Sequence, residues 1–514
     1  MKSNNVEEWT GYKVLLFLLV AGAVLFRISY ILWGPLDLSP DETHYWEWSR
    51  RLALSYYSKG PAIAYIIRFF TSVIGDSELG VRIGAVFISS LLTILIYLFA
   101  KKLFKSEKTA FFAALLPNIT PIFSAGSILM TTDMPLLLLW GLALYTFYSA
   151  LEEDKTLYWL LCGISIGLGL LSKYTMAMIY PSLFLFILLS KDDRGWLKRK
   201  EPYIAVFISL LIFIPVIVWN VEHDWVGFRH VAGQTRLGKG LRVSIKDFFE
   251  FFGAQAGILS PLIFIGLLYT FVKTGYEGLK GRRDYLFLFL TSAPILLFFL
   301  LKSMQGKVEA NWAVIAYFTG LMATAKVFND IYKKKKKRAK TRLFIILALS
   351  LGFGFVSTIL AHYPDIINRL GFELSPKMDP TTRLKGWEEL GEETGIIYQE
   401  MLEKGEVFIL SDRYQIASEL AFYIPEHPTT YNINIGRRMN QYDLWDGFYH
   451  LKGWDALYVK MHKGPINEKI KALFDRCIKA IPLKIERYGR TIKEFSVFGC
   501  YNFKGMEVPE IKKW

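Results

Sequence analysis

The sequence predicts a polytopic α-helical membrane protein with a C-terminal soluble α/β domain, and three observations carry that prediction. Of its 514 residues 53% are hydrophobic and only 21% charged, too apolar for a soluble chain of this size. Apolar runs of about twenty residues, the length a helix needs to cross hydrocarbon, recur through the first 361 residues and then stop. The short loops between those runs hold the basic residues, which is how cytoplasmic loops are marked.

About eleven such runs are expected to span: 13–33, 80–100, 109–130, 133–151, 156–172, 174–190, 203–220, 250–272, 285–301, 311–327 and 342–361. The first is too long for a signal-peptide core and lacks a small-residue cleavage site, so it is expected to stay as a signal anchor. The run 156–172 is short, Gly-rich and tightly joined to the next. Loops reading "KKLFKSEK", "KDDRGWLKRK", "KTGYEGLKGRR" and "KKKKKRAK" belong inside, with the N-terminus. An odd number of spans then puts the C-terminal segment outside, with loops 34–79, 131–132, 221–249 and 302–310. The net charge of +15 is explained by this topology, so no nucleic-acid partner is expected. No internal repeat of the transporter kind is visible.

Beyond His362 charged residues become frequent, and strand-like "EVFILS", "TTYNIN" and "DALYVKM" alternate with helical "GWEELGEETGIIYQEMLEKG". The predicted division is a membrane domain over 1–361, carrying the first outer loop 34–79, and a soluble extracytoplasmic α/β domain over 362–514. Of the three cysteines, Cys162, Cys477 and Cys500, none has metal-ligand spacing. The last two could pair in an oxidising compartment, but the sequence weighs against a bridge.

The stretch "SPDETHYWEW", Ser39 to Trp48, puts Asp41 and Glu42 where the first span ends. Carboxylates there can simply cap the helix that "ETHYWEWSRRL" suggests. The loop continues through Tyr56, Tyr57 and Lys59 on the same membrane face. A Lys ammonium there can hold a lipid phosphate as a point charge, and a carboxylate can take a proton from an attacking hydroxyl. Interfacial Tyr and Lys also serve as plain membrane anchors.

The motifs "PDETHYWEWS", "YYSKGP", "TTDMP", "WNVEHDWVGF", "GKVEANW" and "DRYQIASELAFY…RRMNQYDLW" span most of the chain. In them the sequence resembles the GT-C glycosyltransferases that use polyprenyl-phosphate sugars, including protein O-mannosyltransferases and the lipid A aminoarabinose transferase. The resemblance implies a GT-C membrane fold with Asp41 as the catalytic carboxylate of the first outer loop. A family Lys-Pro-Pro that contacts the donor phosphate reads here as Lys59-Gly60-Pro61. Asp133 either caps the fourth span or is a second acid facing the cavity. The resemblance places His223, Asp224, Trp225 and Arg229 over the donor phosphate or sugar. Lys307, Glu309, Asn311 and Trp312, at the start of the tenth span, are donor-site candidates or interface and cap residues. Lys173 either snorkels or lines the cavity. In the soluble domain, Asp412, Arg413, Tyr414 and Gln415 follow a strand end, where α/β sheets place ligands, and are acceptor-site candidates. No Gly-rich phosphate loop is present for a nucleotide sugar.

The function expected is an inverting glycosyltransferase of the inner (plasma) membrane. It takes a polyprenyl monophosphate sugar, undecaprenyl or dolichyl in type, and a lipid A-like glycolipid or protein acceptor on the outer face. Asp41 and Glu42, with Asp133, are the catalytic candidates. Tyr56, Tyr57, Lys59, His223, Trp225, Arg229, Lys307 and Asn311 are the donor-site candidates. No cofactor is implied; a divalent metal is left open, and His223 with one carboxylate would make a poor zinc site. The rival expectation is a lipid or lipid-linked sugar flippase. Its polar groups belong near mid-membrane, whereas these gather at one face.

Overall fold

The structure, a computed structural model, describes residues 2–235, 243–371, 375 and 379–508. Residues 236–242 of the predicted outer loop 221–249 lie outside the described residues, as do 372–374, 376–378 and 509–514 of the predicted soluble domain. The chain folds as two compact units. A helical unit comprises Met1–Leu32, Arg82–Ile217 and Gly238–Tyr363; a sheet unit comprises Trp33–Val81, Val218–Leu237 and Pro364–Trp514. The division therefore does not follow the boundary expected at 361/362. The first loop and the stretch after the seventh apolar run fold with the C-terminal residues.

Every apolar run falls on helix, and the chain is a multi-pass membrane protein. Among the described residues, six helices are long and apolar enough to cross a bilayer: Gly11–Trp33, Glu78–Phe104, Asp133–Glu153, Glu201–Glu222, Arg283–Ser303 and Lys337–His362. A seventh crossing arises if Ile245–Leu259 and Pro261–Leu279 form one span, although they bend by 109° at Ser260. Ser260 has φ +76, and the proline after it removes a backbone donor and disfavours helical geometry at the residue before it.

The other runs do not make single spanning helices, for local reasons. The run 109–130 splits into Glu107–Asn118 and Pro121–Gly126, with Pro117 near the end of the first and Pro121 opening the second. The run 174–190 starts as a 3₁₀ turn, Tyr174–Met178, before Ile179–Leu189. The run 311–327 lies in Val314–Lys334, whose last turns carry Lys326, Asp330, Lys333 and Lys334. The short Gly-rich run is Thr156–Ser172, and its glycines make a close helix contact. A Cβ on Gly163 would meet the Ala205 carbonyl at 2.5 Å, and one on Gly167 would meet Ile212 at 2.7 Å. Small residues four apart are how membrane helices approach closely.

In the sheet unit, α1 (Pro40–Arg50) precedes α2 (Val226–Thr235), α3 (Trp387–Leu402) and α4 (Tyr414–Tyr423). The strands are β1 (Val407–Ser411), β2 (Thr430–Asn432), β3 (Asp455–Met461), β4 (Phe474–Arg487) and β5 (Arg490–Phe503). The sheet order is β2-β1-β3-β5-β4, parallel through β2, β1 and β3 and antiparallel from β3 through β5 to β4. Strand alternation builds two cores. Val407, Ile409, Leu457, Val459, Phe495 and Val497 face one side, with Trp387 and Leu390 of α3 and Ile416 and Leu420 of α4. Phe408, Leu410, Ala456, Tyr458, Phe498 and Cys500 face the other, against Phe448, Phe474 and Phe503.

The β4–β5 hairpin corrects the cysteine expectation. Its register sets Cys477 opposite Cys500, and the two form a disulfide. Directly opposed cross-strand residues have neighbouring Cβ atoms, so strand pairing supplies the proximity that a spacing of 23 residues does not reveal. Cys162 is buried and free. Thiol counting on the denatured protein is therefore expected to give one thiol before reduction and three after it. Three thiols in unreduced protein would remove the bridge.

Candidate active site

The site begins with the first turn of α1. Ser39 caps the helix and Pro40 occupies its first position, where a missing N–H is harmless. The Glu42 N–H donates to the Ser39 hydroxyl at 3.4 Å, and the Ser39 N–H donates to Glu42 Oε2 at 2.9 Å, a reciprocal capping box. Glu42 is fully buried. Every residue of α1 except Asp41 and Arg50 is buried, so the two adjacent carboxylates are separated: one is built into the helix start and the other stands at the surface.

Two groups from elsewhere in the sheet unit meet Asp41. Tyr414, at the start of α4 and beyond the end of β1, donates its hydroxyl to Asp41 Oδ1 at 3.4 Å. The Arg383 guanidinium lies 3.6 Å from Oδ2, with Arg383 71% and Asp41 45% exposed in their side chains. Burial, and then the Asp41 charge, raises the Tyr414 pKa, so the phenol stays a donor to the carboxylate. Arg383 is positioned by the 3₁₀ turn Pro380–Leu384, capped by Asp379. The Leu384 carbonyl accepts from the Asp37 N–H at 2.8 Å, and Asp37 Oδ2 accepts from the Trp387 N–H at 2.6 Å. Arg413 instead points its guanidinium toward Met461 Sδ at 3.7 Å, and Gln415 contributes its carbonyl to Ser418 at 3.4 Å.

One turn along α1 from Asp41, His44 is walled by aromatics: Tyr414 at 4.7 Å, Trp48 at 5.2 Å and Tyr442 stacked at 5.5 Å. Among the described residues its buried Nδ1 has no hydrogen-bond partner, and burial lowers its pKa to about 3, so the ring is neutral. Sequence analysis overlooked both His44 and Arg383. The i, i+3 spacing of Asp41 and His44 was the signal available for His44; Arg383, more than 300 positions along the chain, carried none.

The tyrosine pair divides in a similar way. Tyr56 stacks on Trp48 at 4.4 Å, and its hydroxyl donates to the Trp48 and Arg51 carbonyls at 3.0 and 3.2 Å, a role in holding the loop. Tyr57 packs with Trp219, Val226 and Met439 and donates its N–H to Gln441 Oε1 at 2.7 Å. Among the described residues its buried hydroxyl has no hydrogen-bond partner, and its ring lies 4.5 Å from that of His230. The Lys59 carbonyl accepts from the Tyr56 N–H at 3.2 Å, which closes the turn that presents the half-buried lysine.

In "WNVEHDWVGF", Asp224 and Trp225 adopt φ +52 and +59 and break the helix before α2. The Trp225 N–H donates to the Asn220 carbonyl at 2.6 Å, and a Cβ on Gly227 would meet Asn220 Oδ1 at 2.9 Å, so a side chain there would displace the Asn220 amide. His223 stacks on Trp219 at 4.1 Å and its Nδ1 faces the Trp219 carbonyl at 2.8 Å. Trp225 and Arg229 are exposed.

In the helical unit, Asp133 holds a buried polar centre. Lys173 Nζ lies 2.5 Å from Oδ1, with side-chain exposures of 8% and 11%, and Asn311 Nδ2 donates to Oδ2 at 2.6 Å. Lys173 therefore neither faces lipid nor snorkels, because the cost of its burial is offset by this pair. Lys307 is exposed and pairs with Glu309 at 3.3 Å. Among the described residues no three His, Cys, Asp or Glu side chains are grouped to hold a metal.

The fold places the chain in a class. It superposes on ArnT from Cupriavidus metallidurans bound to undecaprenyl phosphate with a TM-score of 0.65, at 15% identity, covering 95% of this chain and 98% of that one. An oligosaccharyltransferase from Archaeoglobus fulgidus superposes at 0.53 and 14% identity, over 81% and 64%. This is the GT-C membrane fold. In sequence, residues 58–219 match the family model described as dolichyl-phosphate-mannose-protein mannosyltransferase. The chain is similar to the lipid A galacturonosyltransferase RgtD of Rhizobium johnstonii, 30% identical over 309 residues, 59% of this chain and 63% of that protein. It is also similar to the undecaprenyl phosphate-alpha-4-amino-4-deoxy-L-arabinose arabinosyl transferase of Pseudomonas aeruginosa, 28% identical over 198 residues, 34% of this chain and 35% of that one. The matches thus span less than two thirds of these relatives. The chain thus has the GT-C fold, and in sequence it is similar to glycosyltransferases.

The buried neutral His44 sets a pH dependence. Its folded pKa of about 3 lies below the ordinary value of 6.5, so between these pH values the unfolded chain binds the extra proton and stability falls with acidification. His44→Phe, which keeps the aromatic packing and removes the titration, is expected to flatten the decline in Tm between pH 6.5 and 4.5. Equal slopes in the two proteins would show that the ring is not buried as a neutral group.

Proposed function

We propose that the chain is an inverting glycosyltransferase that moves a sugar from a polyprenyl monophosphate to a glycolipid of the lipid A kind, at the extracytoplasmic face of the inner membrane. The observation that carries this is the separation of the Asp-Glu pair, which leaves Asp41 at the surface between the Tyr414 phenol and the Arg383 guanidinium. Asp41 takes the proton of a hydroxyl acceptor, and only orients an acceptor that is already an anion. Tyr414 holds the carboxylate in place. Lys59 meets the donor phosphate and stabilises the charge that develops as it leaves. Single displacement on the anomeric carbon inverts its configuration.

Glu42 and Tyr56 are assigned to the scaffold, since the hydrogen-bonding capacity described for each is used within its own loop or helix start. Asp133, with Lys173 and Asn311, is assigned to holding the helical unit together. Trp225 and Arg229, both exposed, are assigned to the donor headgroup. The named activities of the relatives, transfer of galacturonic acid and aminoarabinose, support a lipid-phosphate donor and a lipid A-like acceptor. The Cys477–Cys500 bridge supports placing the sheet unit in an oxidising compartment, outside the cytoplasm.

The test uses purified full-length protein with lipid A and undecaprenyl-phosphate-linked sugars. Asp41→Asn is expected to fold, because Asn suits a helix start about as well as Asp, and to lose about 10²–10⁴-fold in turnover. Glu42→Gln preserves the capping-box pattern and is expected to keep most activity. Near-parental turnover by a folded Asp41→Asn variant would leave the mechanism without its base.

A further inference from the structure

Within the helical unit, the helix Lys337–His362 is attached along one end only. Just 11% of its apolar stretch is buried, against 72% for Asp133–Glu153. Its buried residues are Gly354, Thr358 and His362. A Cβ on Gly354 would meet the Ile119 carbonyl at 3.1 Å, the Thr358 hydroxyl donates to that carbonyl at 2.9 Å, and the His362 carbonyl accepts from the Tyr30 hydroxyl at 2.6 Å. Toward its start the helix stands off. A cavity of about 410 Å³ opens there, lined also by residues of the helices Glu107–Asn118, Pro261–Leu279 and Val314–Lys334. Ligand pockets typically measure about 300–1,000 Å³, so the space is large enough to hold one.

The cavity is apolar along its length and basic at one end. Phe112, Leu116, Ile263 and Phe328 line it, and so does Gly266, where a Cβ would have only Thr324 Cγ2, at 3.9 Å, within 4 Å. At the basic end Asn329 donates to the Thr109 hydroxyl at 2.9 Å, and the Tyr332 ring carries two ammonium groups, those of Lys108 and Lys340, each 5.5 Å from its centroid. Among the described residues neither lysine has an ion-pair partner. The acidic residues of the four lining helices are already taken: Glu107 by Lys101 and Glu277 by Arg282, each at 2.6 Å, and Asp330 by Lys326 at 2.9 Å. Eight of the ten residues 333–342 are basic as well. Membrane orientation accounts for basic residues in a loop, but not for an apolar cavity that opens beside them.

We propose that this groove is a binding site for an anionic phospholipid, with an acyl chain against Phe112, Phe328 and Gly266 and the headgroup phosphate held by Lys108 and Lys340. The two halves of the site select the two halves of the ligand. A soluble anion would leave the apolar walls uncovered, and a neutral lipid would leave the lysines without a counter-charge. A lysine holds phosphate as a point charge, and basic pockets between spanning helices are where anionic headgroups settle. A zwitterionic headgroup brings its own cation against the two ammonium groups and is disfavoured. The bound lipid fills the gap along the unattached half of the helix Lys337–His362, so binding stabilises the folded chain. The site does not depend on the donor chemistry proposed for Asp41 and Lys59.

The experiment titrates purified, delipidated full-length protein with phosphatidylglycerol and with phosphatidylcholine of the same acyl chains, read by native mass spectrometry and by Tm. The wild type is expected to bind one phosphatidylglycerol about 10- to 30-fold tighter than phosphatidylcholine, the effect of two lysines near one anionic headgroup, and to gain Tm as that site fills. The double variant Lys108→Ala, Lys340→Ala changes residues at the mouth alone and is expected to lose the preference, whereas Lys108→Arg, Lys340→Arg keeps it. Gly266→Leu, whose side chain enters the groove, is expected to lose the tight site with both lysines in place. Equal affinity of the wild type for the two lipids would overturn the proposal, as would a double alanine variant that keeps the preference or a Gly266→Leu variant that binds phosphatidylglycerol as the wild type does. Displacement of the bound phosphatidylglycerol by an equimolar amount of undecaprenyl phosphate would also overturn it, by assigning the groove to the polyprenyl lipid instead.

Discussion

The arrangement in the sheet unit depends on the burial of the helix Pro40–Arg50. A helix that buries Glu42, His44, Trp46, Glu47 and Trp48 within seven residues is costly to enclose unless its polar atoms find partners. Many do here. Trp46 Nε1 donates to Asp76 at 2.7 Å, Glu47 is held by Arg50 and Arg51 at 2.9 and 3.2 Å, and Thr43 donates to the Ser418 hydroxyl at 3.1 Å. The Trp46 ring also packs edge-on against Phe422 at 5.0 Å. With its other sides enclosed, the helix presents Asp41 at its start, where Tyr414 and Arg383 reach it.

The balance of forces at Asp41 suits a group that must exchange partners. An exposed ion pair at 3.6 Å contributes at most about 1 kcal/mol, so Arg383 can give way to a ligand at little cost. The buried Asp133–Lys173 pair is the opposite case, since removing one partner of a buried pair typically costs about 3–5 kcal/mol. The two acidic candidates thus have different surroundings: Asp41 stands at a surface and Asp133 is held in a helix bundle.

Much of this was legible in the sequence because it is encoded locally. Hydropathy located every apolar run, and alternation located β1, β2 and β3, whose faces build two cores. The capping alternative for the Asp-Glu pair was visible as Ser39 followed three residues later by Glu42. What sequence patterns missed depends on distant pairing or on single backbone angles. The β4 strand is mostly exposed and carries little apolar alternation, so the hairpin that joins Cys477 to Cys500 left no signature. The bend at Ser260 lies inside a continuous apolar run, where hydropathy does not register it. Lys173 looked anomalous until Asp133, forty residues earlier, proved to be its partner. Arg383 became recognisable only when folding brought it to Asp41.

The proposed function requires chemistry at this site rather than passage of an intact lipid-linked sugar. The most direct measurement follows undecaprenyl phosphate released by the purified protein in liposomes supplied with an undecaprenyl-phosphate-linked sugar and lipid A. Glycosyltransfer predicts release in step with sugar appearing on lipid A, and none without the acceptor. Movement of the intact donor between leaflets, with no undecaprenyl phosphate released, would contradict it and identify a flippase.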